Sequence, residues 1–144
     1  MSVKTLRRKV KWHKEKVRSE YVFLWRSSLD FFNQVMAVIH DCPDGRYVQR
    51  HIIERIQKSS FKVSQQIAKA VSVGAKEDLY ALFFDAAENV RLTKADLYAA
   101  YKNNFISREQ LVALNARSRI LLNEIHVFNN AVDVDSEDQV IYSN

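Results

Sequence analysis

In 144 residues this chain uses two glycines and one proline. A β-rich chain of this length needs many tight turns, and glycine and proline are the residues that make them most readily. Their scarcity points to helices. The breaks that do occur fall at DCPDG (41–45), SVGAK (72–76) and NNFIS (103–107). The spacing predicts four long helices joined by three short loops.

Between the breaks, apolar residues recur at helical intervals. The first stripe reads Leu6, Val10, His13, Val17, Tyr21, Leu24, Phe31, Val35 and Val38, over about 3–40, and stops at Pro43 and Gly45. The second, over about 46–72, reads Ile52, Ile56, Val63, Ile67 and Ala70, with Gly74 as its stop. The third, over about 76–102, reads Leu79, Phe83, Ala86, Val90 and Leu97. Glu77 and Asp78 suit the positive end of its dipole. The fourth opens with SREQ, where Ser107 is an N-cap and Gln110 closes a capping box. It continues through Leu111, Leu114, Leu121, Ile125, Phe128 and Val132. Short loops between long helices imply an all-α, up-down-up-down antiparallel four-helix bundle.

Charge divides the chain further. The formal net charge is +5, with the positive excess at the front and an acidic end at the back. Residues 1–20 read as a basic helical extension continuous with helix one, 21–132 as the bundle, and 133–144 as an acidic flexible tail. Asp133, Asp135, Glu137 and Asp138 supply the tail's charge, and its apolar period is lost. No apolar run is long enough to span a bilayer, and the basic front is not followed by the apolar stretch of a secretory signal. The apolar side of helix one lacks the bulky set that inserts into a membrane surface. The lone cysteine, Cys42, forms no disulfide within the chain and suits a cytoplasmic setting.

Two helices gather their bases on one side. Lys4, Arg7, Arg8, Lys11, Lys14 and Arg18 share a face of helix one, and Trp12 stands near it, placed to stack on a base. On helix two, His51, Arg55, Lys58, Lys62 and Lys69 fall in a narrow arc opposite the apolar stripe. Between Glu54 and Glu77 there is no acid. A solvated helix face ordinarily mixes signs, because i,i+4 ion pairs support it. One-signed faces repel themselves and fit an anionic partner, here RNA or DNA held mainly through phosphate. The candidate nucleic-acid contacts are therefore Arg7, Arg8, Lys11, Trp12, Lys14, Arg18, Arg55, Lys58, Lys62 and Lys69.

Other patterns carry less. HDCPDG places His40, Asp41, Cys42 and Asp44 close in sequence, as does any helix ending in a polar Pro/Gly turn. Arg8/His13, Arg46/His51 and Arg119/His126 match the Arg-then-His spacing of some helical ribonucleases, a pattern made cheap by the many arginines. There is no glycine-rich phosphate loop, no nucleophile elbow and no carboxylate cluster for two metals. The reading is a binding protein without cofactor. A small helical ribonuclease and a plain oligomerisation scaffold remain as alternatives.

The order of features resembles a family of small bacterial four-helix bundles. It contains the ribosomal-RNA intervening-sequence proteins and the accessory variability determinants of diversity-generating retroelements. The likeness rests on LWRSSLDFFNQVMAVIHDCPDG, QQIAKAVSVG, AKEDLYALFFDAA and NNFISREQL, and covers roughly 22–132. Lys69-Ala70 stands where the intervening-sequence proteins tend to carry Glu-Gly, and Lys94 lies near their acidic patch. This positive shift, with the long basic arm, is similar to the retroelement accessory branch. The resemblance implies a homopentamer whose basic surface binds nucleic acid and associates with a reverse transcriptase during mutagenic cDNA synthesis.

Overall fold

The described residues form four helices: α1 (Val3–His40), α2 (Tyr47–Ser72), α3 (Lys76–Lys102) and α4 (Arg108–Tyr142). The computed structural model describes the backbone of residues 3–42, 47–72 and 76–142, and the side chains of all of these except 3–18, 76–77 and 131–142. Among the described residues there is no strand. Each helix packs mainly on two others, α1 and α3 both lying against α2 and α4, and Tyr21 of α1 also reaches Phe83 of α3 across the core. Contacts between α2 and α3 pair Arg55 with Asp96, Ser59 with Thr93 and Gln66 with Asn89, so these two helices run antiparallel. Tyr21 meets Phe128 and Ser27 meets Arg117, so α1 and α4 do the same.

The core is the sum of the four apolar stripes. Leu24, Phe31 and Val35 of α1 meet Ile52, Ile56, Val63, Ile67 and Ala70 of α2. Phe83, Ala86, Val90 and Leu97 come from α3, and Leu111, Leu114, Leu121 and Ile125 from α4. Burying each large side chain stabilises by about 1.5–3 kcal/mol. Tyr21, Phe83 and Phe128 form a tilted aromatic trio with ring centroids 5.4–6.3 Å apart. Leu6, Val10, His13, Val17 and Val132 lie outside the described side chains.

Small hydroxyl residues occupy the seams between helices. Ser28, Ser60, Ser64, Thr93 and Ser118 are buried. Each donates back to a carbonyl of the preceding turn, at 2.6–2.8 Å. The bond satisfies the hydroxyl without a second side chain, so helices can approach closely there.

The α3–α4 turn follows from local chemistry. Asn104 takes a left-handed φ of 63°. Its N–H donates to the Tyr101 carbonyl at 3.0 Å, and the Phe105 N–H reaches the Ala100 carbonyl at 2.9 Å. This is a Schellman ending with asparagine in the place where glycine is usual. Ser107 then caps α4. Its Oγ accepts from the Gln110 N–H at 3.1 Å, and its own N–H donates to Gln110 Oε1 at 2.9 Å. The capping box read from SREQ is formed.

The α4 backbone stays helical to Tyr142, through most of the segment that the sequence marks as an acidic tail. Period marks a buried stripe, not helicity itself. No proline or glycine interrupts DVDSEDQVIY, and extending a formed helix adds one hydrogen bond per residue fixed.

Candidate nucleic-acid interface

α2 brings the described part of the basic surface together. Its buried side (Ile52, Ile56, Val63, Ile67) fixes the rotation of the helix about its axis. Lys58, Lys62 and Lys69 are thereby left exposed on the opposite side. Among the described residues none of the three makes an ion pair or hydrogen bond through its ammonium. From Lys58 to Lys69 the stripe runs roughly 16 Å along the axis at 1.5 Å per residue. His51 and Tyr47 extend it toward the start of the helix. Glu54 is the only acid on α2.

Arg55 holds a different position from the lysines. Its Nη2 donates to Asp96 Oδ1 on α3, an ion pair joining a side chain 57% exposed to one only 8% exposed. The guanidinium neutralises a carboxylate that packing has removed from water. Arg55 thus anchors α2 to α3 while its remaining donors face solvent. No sequence signal pairs residues 41 apart; only the antiparallel register of α2 and α3 does.

Arg7, Arg8, Lys11, Trp12, Lys14 and Arg18 belong to α1, which is continuous from Val3 to His40. Their side chains lie outside the described residues. The remaining candidates for chemistry are dispersed. His51 and His126 are exposed, and among the described residues no hydrogen bond joins Arg119 to His126. Among the described residues no group of three or more His, Cys, Asp or Glu is placed to hold a metal ion. No described helix is long and apolar enough to cross a membrane.

Cys42 is partly buried and bonded. Its Sγ lies 3.2 Å from the Phe105 carbonyl oxygen and 3.7 Å from that of Val38. Burial, and then the negative charge of Asp41, pushes the thiol pKa up. A thiol held neutral and donating to a carbonyl ties the end of α1 to the α3–α4 turn.

Two features escaped the sequence reading. Tyr47 is 84% exposed, and its ring stacks on His51 with centroids 6.3 Å apart and planes 9° from parallel. The i,i+4 spacing was the available signal, but Tyr47 sits at the helix boundary. The outer side of α4 is also apolar: Val112, Ile120 and Val127 are exposed. Phe23 of α1 joins Val127 and Phe128 there, with Glu20, around a shallow groove.

The chain matches no protein-family model, no curated protein and no solved structure.

Proposed function

We propose that the protein is a non-enzymatic nucleic-acid-binding accessory protein, similar to the accessory variability determinants, which assists a reverse transcriptase from a basic oligomeric surface. The observation that carries the reading is the α2 stripe of Lys58, Lys62 and Lys69, exposed and without carboxylate partners among the described residues. Three unpaired ammonium groups on one rigid helix face repel one another, and phosphates relieve that repulsion by releasing their own counterions. The lysines of α2 contact the backbone and set no sequence preference, which suits a partner that handles many templates.

Assembly is the second part of the reading. Exposed Val112, Ile120 and Val127 along α4, with Phe23 beside Val127, favour burial against another copy of the chain. A homopentamer repeats the α2 stripe around the assembly, so modest charges per subunit add through multivalency. The reverse transcriptase rests on the family resemblance and on the positive charge shared with the retroelement branch.

Titration of a labelled structured RNA through a salt series, with mass measured by light scattering on the same sample, tests both parts. The expected result is a steep fall of affinity with salt on an oligomer. A monomer without RNA affinity at low salt overturns the reading and leaves a helical scaffold.

A further inference from the structure

The α2 face has more than charge. Tyr47 stands at its beginning, 84% exposed, and its ring lies near-parallel to that of His51. His51 lies on the same arc as Lys58, Lys62 and Lys69, so the stacked pair and the lysines form one line. From Tyr47 to Lys69 that line is roughly 33 Å long. Phe61 flanks the line between Lys58 and Lys62, half exposed and tilted 5.5 Å from Phe32 of α1.

A lysine stripe alone holds any polyanion, duplex or single strand. An exposed aromatic ring in line with the stripe is selective. In a duplex the bases are already stacked and their faces covered, so the ring finds nothing to stack on except at an end. In a single strand every base offers a free π face, and aromatic platforms beside cationic tracks are how unpaired strands are held. Tyr47 stays 84% exposed beside His51, which leaves ring surface for the ligand.

Building on the nucleic-acid reading above, we infer that the α2 face is a single-strand site: an unpaired base stacks on Tyr47 while Lys58, Lys62 and Lys69 follow the phosphates. Tyr47 is the selecting residue and His51 positions it. Loss of Tyr47 removes one stacked base and leaves every phosphate held.

The test compares a labelled oligouridine with the matching oligouridine–oligoadenosine duplex, using the full chain and its Tyr47→Ala, Tyr47→Phe and His51→Ala variants. Circular dichroism checks that each variant is folded, as expected for substitutions at exposed positions. The wild-type chain is expected to prefer the single strand. Tyr47→Ala should weaken single-strand binding about tenfold or more, with duplex binding and the salt slope unchanged. Tyr47→Phe keeps the ring and should bind as the wild type, and His51→Ala should show a smaller loss. Equal affinity for both probes, or a Tyr47→Ala variant that binds the single strand like the wild type, overturns this inference and leaves phosphate binding standing. Failure of the wild-type chain to bind either probe at low salt overturns both readings.

Discussion

Arg55 on α2 is bonded to Asp96 on α3, so one residue of the basic arc is committed to the fold. Removal of a cation from a buried carboxylate costs more than removal of a solvated lysine, because the carboxylate is left without its partner. Arg55→Ala is expected to destabilise the protein by about 1–3 kcal/mol. Lys58→Ala should stay within about 0.5 kcal/mol of the wild type. Urea denaturation of the two variants measures the difference, and equal effects would remove the structural role given to Arg55.

The α3–α4 turn makes opposite demands at two neighbouring positions. Asn104 has φ of 63°, where a β-branched residue clashes with its own backbone and glycine does not. Asn104→Val should lose about 1–2 kcal/mol, whereas Asn104→Gly should be neutral or stabilising. Ser107→Ala, which removes the cap on α4, should cost about 1 kcal/mol. A thermal melt of each variant gives the order Gly, wild type, Ala, Val if the turn is formed as described.

Cys42 gives the fold a dependence on alkaline pH. Its pKa is raised above 9.0, first by burial and then by Asp41. The folded protein thus favours the neutral thiol. The stabilisation is fully present below the unfolded value of 9.0 and is lost as pH rises through the higher folded value. Alkylation by iodoacetamide at mildly alkaline pH should be slow in the folded protein and fast in urea. Cys42→Ser should flatten the decline of stability above that range. Rapid alkylation of the folded chain would contradict the bonded thiol.

Much of the fold was written in local pattern. The four apolar stripes place Leu24, Phe31, Ile56, Val63, Val90, Leu121 and Ile125 in the core because a helix buries whatever recurs on one side of it. Ser107 and Gln110 were legible because a capping box spans four residues. The Arg55–Asp96 pair and the Arg117 bonds to the Ser27 carbonyl and hydroxyl, at 2.9 and 2.8 Å, were not. They depend on how two helices are rotated and shifted against each other, and no single stretch of sequence records that. The exposure of Tyr47 was missed for a related reason: at a helix boundary, periodicity does not say which way the first residue faces. The acidic segment shows the converse, since the α4 backbone stays helical where the apolar period of the sequence has ended.

The basic front of α1 is expected to add to the α2 surface. Replacement of Arg7, Arg8, Lys11 and Lys14 by glutamine keeps good helix formers and removes the charge. Nucleic-acid affinity should fall, and the dependence of log affinity on log salt should flatten, by about 0.7–0.9 for each phosphate no longer neutralised. The far-ultraviolet circular dichroism should be unchanged. Unaltered affinity would assign this segment to some other task.

Simultaneous replacement of Lys58, Lys62 and Lys69 by alanine addresses the α2 stripe most directly. The three residues are exposed and unpaired among the described residues, so the urea midpoint should hold. RNA affinity of the full chain should drop at low salt, and the salt slope should shrink by about 2–3. A variant that binds RNA with the wild-type affinity and slope would contradict the assignment of α2 as the nucleic-acid surface.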